Sequence, residues 1–167
     1  MMQSQIDPWL VLRTRSHQEN VVEMGLQQKR INAYLPKRSA LRKWKDRKKI
    51  VQMPLFPGYV FVQPSADQFE NIRCIRGSCG LIFVGNKPAA VPEKDLEAIT
   101  ILVRSGATLS VNPQLIPGRR VEVIAGPFAG IQGELVRIKS GDRLVINAHL
   151  LNSSVSVEVD AENVSVL

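Results

Sequence analysis

Cysteine and histidine are scarce in this chain, and their scarcity excludes much. The 167 residues hold two cysteines, Cys74 and Cys79, and two histidines, His17 and His149. A disulfide between the two thiols is the sharper alternative, but with neither histidine at ligand spacing they do not make a zinc site. They read instead as buried or half-buried thiols in a reducing cytosol, and neither a metal nor a cofactor is expected. No run approaches the ~18 apolar residues that a membrane helix needs. Residues 1–8 lack the basic, then apolar, then small-residue order of a secretory signal. These features predict a cytoplasmic monomer with no membrane contact. No nucleophile–base–orienter set or phosphate loop is legible, which argues against an enzyme.

What the chain does have is positive charge, unevenly placed. Its formal net charge is +7. Up to Ala107 there are 17 Lys and Arg against 9 Asp and Glu, and from Thr108 onward 5 against 6. One part therefore carries the electrostatic footprint of a polyanion binder and the other does not.

The hydrophobic pattern also changes along the chain. Trp9 to Thr14 is apolar and strand-forming, with Trp9 at its start in a structural place. Ser16 followed by Glu19 reads as a capping box, opening a helix to about Arg30 whose apolar side is Val21, Val22, Met24 and Leu26. Ala33–Pro36 is extended. Residues 37–49 carry eight Lys or Arg, one Asp and a single aromatic, Trp44; such a run cannot enter a core and predicts a solvated excursion between strands. Tyr59–Val62 is strongly strand-forming after the special entry at Pro57-Gly58. Asp67 to Cys74 reads as a short helix with Phe69 and Ile72 inward, Gly80–Gly85 as a short strand. Pro92 to Arg104 is a helix with acidic residues at its positive end and Arg104 at its negative end, stopped by Gly106. The order β-α-β-β-α-β-α implies an antiparallel sheet carrying helices.

Residues 107–116 have no strong pattern and read as a linker. From Pro117 short alternating segments return: Gly118–Val123, Ile131–Ile138, Arg143–Ala148 and Val155–Val159, with turns at Ser140-Gly141-Asp142 and Asn152-Ser153-Ser154. Roughly five short strands in about 50 residues predict a small barrel. The fold class is thus α+β, with domains over 1–106 and 117–167.

Two stretches resemble one family in the same order. Gly118–Ile124 through Gly126-Pro127-Phe128-Ala129-Gly130 to Gly133 is similar to a KOW motif, the SH3-like barrel of ribosomal proteins and NusG-type factors. Trp9–Thr14 and Leu55-Phe56-Pro57-Gly58-Tyr59-Val60-Phe61-Val62 resemble the NusG N-terminal (NGN) domain. The resemblance covers about residues 9 to 167. It implies a bacterial transcription elongation or antitermination factor, either general NusG or a specialised paralogue of the RfaH, LoaP or UpxY kind. In that family the N-terminal domain docks an apolar patch on the clamp helices of the largest RNA polymerase subunit, favouring the closed clamp and opposing pausing.

Carried onto this sequence, the resemblance implies a polymerase-binding patch of Phe56, Pro57, Tyr59 and Phe61 with Leu55 and Tyr34, expected as an exposed cluster. From alternation alone both sheet faces could equally be core. Arg42, Lys43, Lys45, Arg47, Lys48 and Lys49 are placed near DNA flanking the transcription bubble, with Trp44 available to stack on an unpaired base; ordinary solvated surface is the alternative. Arg13, Arg15, His17 and Gln18, with Arg73 and Arg76, form a third group. Arg15, Gln18 and Arg76 match the positions that read non-template DNA in RfaH-like members, while Arg13 departs from the aromatic or apolar residue usual there. In the barrel, Leu150 and Leu151 occupy places that in NusG meet a ribosomal small-subunit protein or Rho. Two adjacent leucines in an extended segment cannot both point inward, so one is expected exposed. A ribosome- or rRNA-binding KOW protein is the competing reading, but it predicts a basic barrel.

Overall fold

The computed structural model describes residues 6–138 and 141–167. From the N-terminus run β1 (Leu10–Thr14), α1 (Glu19–Gln28), β2 (Asn32–Tyr34), β3 (Lys37–Trp44), β4 (Arg47–Pro54) and β5 (Tyr59–Gln63). Then come α2 (Phe69–Arg73), β6 (Ser78–Leu81), β7 (Phe83–Val84), β8 (Lys87–Pro88) and α3 (Glu93–Arg104). The chain closes with β9 (Ser110–Asn112), β10 (Arg119–Val123), β11 (Gln132–Ile138), β12 (Gly141–Ala148), β13 (Ser153–Val159) and β14 (Val164–Val166). Contacts divide it into two compact units, one of residues up to Pro36 with Phe56–Pro92, the other of Lys37–Leu55 with Glu93–Leu167.

The first unit is built on a four-stranded sheet in the order β2-β5-β1-β6, antiparallel throughout. The pairs Leu10↔Val62 and Leu12↔Val60 put four apolar side chains on one face. There they meet Val22 and Leu26 of α1, Ile72 of α2, and Ile31, Leu35 and Ile75. Each such side chain contributes roughly 1.5–3 kcal/mol on leaving water. The one-residue alternation of a strand turns Val11 and Phe61 to the other face, and both are also buried. Central strands of this unit are therefore apolar on both sides.

Several local expectations need correction. The capping box at Ser16 and Glu19 does not form: Ser16 and His17 make a turn, His17 has φ 61°, and Gln18 holds the N-cap position without a side-chain cap. Of its apolar residues only Val22 and Leu26, four apart, face inward, on the stripe that also buries Glu19; Val21 and Met24 are exposed, because the helical period turns them off that stripe. Phe69 is exposed while Ile72 is buried. The strand expected at Gly80–Gly85 lies earlier, at Ser78–Leu81, and Phe83–Val84 belongs to a separate two-stranded hairpin with β8. Cys74 and Cys79 are free and exposed rather than buried.

The second unit contains the β3–β4 hairpin, α3 and a six-stranded antiparallel sheet in the order β14-β10-β11-β12-β13-β9. Val121, Val123, Leu144, Ile146, Val155 and Val157 are buried in its β-rich interior. The basic run is solvated as expected, residues 41–50 being exposed, but it is itself a pair of strands rather than a connection between strands. The stretch 107–116 is also more ordered than its pattern suggested. β9 pairs with β13 through Val155↔Val111, and Leu109 is buried. Asn147 both accepts from the Ile116 N–H (3.0 Å) and donates to the Ile116 carbonyl (2.9 Å). Arg143 donates to the hydroxyls of Ser110 and Ser156, each at 3.1 Å. A three-residue strand has too little periodicity to be read locally; its partner makes it a strand. The expected turn residue Ser140 lies outside the described residues.

Candidate nucleic-acid and protein interface

The Pro57-Gly58 corner before β5 is fastened from two sides. Gly58 has φ 89°, a conformation that suits a residue without Cβ. Its N–H donates to Glu19 Oε1 at 2.9 Å, and its carbonyl accepts from the Thr14 N–H at 2.8 Å. Glu19 is only 6% exposed. Its carboxylate therefore serves as a buried acceptor for a loop amide, a use that capping logic alone did not find. The Tyr59 N–H donates to the Phe56 carbonyl at 3.2 Å, closing the turn.

The aromatic cluster around this corner is real as a cluster, but it is not an exposed one. Phe56 packs edge-on against Phe61 at 6.0 Å between centroids, and Tyr34 stacks on Phe61 at 6.5 Å. Leu55, Phe56 and Phe61 are buried, at 1%, 3% and 2% exposure. The surface is left to Pro57, which is exposed, and to the half-buried Tyr34 and Tyr59. The register explains the division. Phe61 sits between Val11 and Tyr34 in the middle of the sheet, whereas Tyr59 lies opposite Arg13 at its end.

Beside the corner, two turns carrying the predicted cations touch one another. The Arg15 N–H donates to the Gly77 carbonyl at 2.8 Å. Gly77 has φ 88°, and a Cβ there would stand 3.0 Å from Gln18 Cβ and 3.1 Å from Val22 Cγ2. The absent side chain is what lets the turn after β1 approach the turn after α2. Arg15 and Gln18 are thereby brought beside Arg76-Gly77, with Arg13, Arg15, His17, Arg73 and Arg76 all exposed and Gln18 half-buried. The signal for Gly77 was in the chain, as a glycine between a helix and a strand, but its neighbour was not.

The remaining predicted cations lie on the hairpin. β3 and β4 pair over eight residues each, from Lys37↔Pro54 to Trp44↔Arg47, around a two-residue loop at Lys45-Asp46. Residues 41–50 are all exposed. Ser39 and Gln52 join across the strands at 2.7 Å. Among the described residues the one salt bridge is Arg137–Asp142, so none of the hairpin cations has a carboxylate partner.

In the β-rich region, Leu150 and Leu151 stand in a single 3-10 turn, His149–Leu151, ending at Asn152 in the left-handed region with φ 48°. The turn buries Leu151 and leaves Leu150 half-buried. Phe128, in the connection between β10 and β11, is buried too. Asp95 on α3 is half-buried; desolvation raises its carboxyl above the ordinary range, with His149 and Arg120 opposing that shift. No helix among the described residues is long and apolar enough to cross a membrane.

Comparison with known proteins places this arrangement. Residues 7–100 match the family model described as transcription termination factor nusG. The transcription termination/antitermination protein NusG of Bacillus subtilis is 29% identical, over 90% of this chain and 94% of its own. NusG of Treponema pallidum is 26% identical over 95% and 98% of the two chains. A solved structure concerned with domain interaction in Thermotoga maritima NusG aligns with a TM-score of 0.56 at 18% identity, covering 96% of this chain and 97% of that one. That likeness fits an NGN sheet with helices followed by a KOW region. With more than half of its length matched by the family model, the chain belongs to the NusG family.

Proposed function

We propose that this protein is a NusG-type elongation and antitermination factor, a specialised paralogue, that acts by binding and makes or breaks no bond. Its N-terminal module (1–106) docks on the clamp helices of the largest RNA polymerase subunit and suppresses pausing or termination. Its KOW module (117–167), joined through 107–116, recruits a further partner, a ribosomal small-subunit protein or Rho, using the turn at Leu150 and Leu151. Such a factor shifts the clamp equilibrium only by as much as its contacts are better made in the closed state.

The observation that carries this reading is the placement of Tyr59 directly across from Arg13. It brings the edge of the aromatic cluster next to the cationic turns, as a factor touching polymerase and DNA together requires. Tyr34, Pro57 and Tyr59 form the contact surface, backed by Phe61 and Phe56, with Leu55 buried. Arg13, Arg15, His17, Gln18, Arg73 and Arg76 face the non-template strand. Arg42, Lys43, Trp44, Lys45, Arg47, Lys48 and Lys49 face the flanking DNA.

The test is affinity for purified RNA polymerase after Tyr34→Ala and Tyr59→Ala together. These half-exposed rings can be removed without opening the core, unlike Phe56 or Phe61. Hot-spot aromatics contribute about 2 kcal/mol or more each, so the pair should lower affinity by more than 100-fold. Undiminished binding by the folded double variant removes the clamp-docking proposal.

A further inference from the structure

The β3–β4 hairpin pairs with neither of the larger sheets. Among the described residues it is a separate two-stranded ribbon, an element of marginal stability by itself, and its register gives its charges a particular order. Directly opposed residues share a face, and successive residues alternate between faces. Trp44↔Arg47 and Arg42↔Lys49 therefore lie on one face. Lys43↔Lys48 and Leu41↔Ile50 lie on the other. Two of these four pairs set like charges directly opposite each other, which is destabilising in an isolated sheet.

We propose that this ribbon enters the major groove of duplex DNA and neutralises phosphates on both groove walls, one wall with each face. The proposal rests on the DNA-facing reading of residues 42–49 given above and assigns it a geometry. A surface that lies flat on DNA needs cations on one face only, and here they stand on both. The B-DNA major groove, about 12 Å wide, admits a two-stranded β-ribbon, whose strands are ~4.8 Å apart. The major groove of A-form RNA is deep and too narrow for side chains to read. Single-strand binders track bases on a series of aromatic side chains, and residues 37–54 hold only Trp44. Phosphates between the like-charged pairs relieve their repulsion, so binding also steadies the ribbon. Leu41 and Ile50, 58% and 69% exposed, offer the apolar atoms that suit thymine methyl groups in that groove.

The experiment measures binding of the full chain to a duplex DNA, a single strand of the same sequence and an RNA duplex between 50 and 200 mM salt. It compares Lys43→Gln/Lys48→Gln with Arg42→Gln/Lys49→Gln. Each phosphate contact adds about 0.9 to the slope of log affinity against log salt, so each double variant should flatten it by about 1.8. Methylation of guanine N7, which lies in the major groove, should block binding by the parent protein. Cross-strand NMR contacts between Ala40 and Val51 report whether the ribbon persists. If Gln disturbs it, Thr at the same positions gives the version with higher β propensity. A loss confined to the Arg42/Lys49 variant overturns groove entry while leaving DNA contact standing. Equal or tighter binding to RNA duplex or single strand overturns it likewise. If neither variant changes DNA binding, the DNA-facing reading of the hairpin itself fails.

Discussion

Replacing Gly77 by alanine tests whether the cationic turns are held together by a missing side chain. The new Cβ would meet Gln18 Cβ at 3.0 Å and Val22 Cγ2 at 3.1 Å, on a backbone with φ 88°. Backbone strain at such a φ costs an L residue about 1–2 kcal/mol. Overpacking against Val22, fully buried in the core, adds about 1–3 kcal/mol. The expected loss is therefore about 2–5 kcal/mol. Gly80, three residues further on in β6, supplies the control. Its φ is 95°, but a Cβ there meets nothing within 4 Å, so Gly80→Ala should cost only the strain, about 1–2 kcal/mol. Native-state hydrogen exchange at the Leu12 and Val60 amides reads both losses for this unit alone, without assuming that the whole chain unfolds in one step. Gly77→Ala should also weaken any DNA contact made jointly by Arg15 and Arg76, whereas Gly80→Ala should not. Equal losses in the two variants would refute the close approach at Gly77.

Three further outcomes follow from the same geometry. Glu19→Ala leaves the Gly58 N–H without its buried acceptor, and a hydrogen bond to a charged group contributes about 1.5–3 kcal/mol. The Gly58 amide should then exchange at least ten-fold faster, with Glu19→Gln falling between; an unchanged rate would show that the corner does not depend on this carboxylate. Asp95 has a raised carboxyl pKa in the folded protein, so the native state holds that proton more tightly than the unfolded chain does. Its favourable contribution is present below the ordinary carboxylate range and is lost as pH rises through the raised value. Asp95→Asn should therefore be the more stable protein at pH 7, with the difference closing below about pH 4; denaturant titrations across that range would show the opposite trend if His149 and Arg120 outweighed burial. Arg143→Ala removes the bonds to Ser110 and Ser156 and should raise exchange at the Val111 amide with little change at Val121.

Much of this architecture was readable from local pattern. Tyr59–Val62 alternates strand-forming side chains after Pro57-Gly58, and α3 carries acidic residues at its start and Arg104 at its end, so both elements appear where their chemistry predicts. Glu19 was not readable in the same way. Three residues after Ser16 it satisfies the capping rule, yet its partner is the amide of Gly58, 39 positions away. The basic run likewise showed its charge but not its form, because pairing Arg42 with Lys49 runs against local preference and depends on the whole ladder from Lys37↔Pro54 outward.

By itself the sequence determined where charge is concentrated, where the strongly periodic strands and the longer helices lie, and which motifs place the chain in the NusG family. These are properties of composition and short-range period, written within a few residues. Tertiary structure decided that Phe56 and Phe61 lie inside while Tyr34, Pro57 and Tyr59 reach the surface. It also decided that Arg15 and Gln18 meet Arg76-Gly77. Both outcomes depend on register and on close approach between residues distant in the chain, and a strand that is apolar on both faces does not itself say which face meets water.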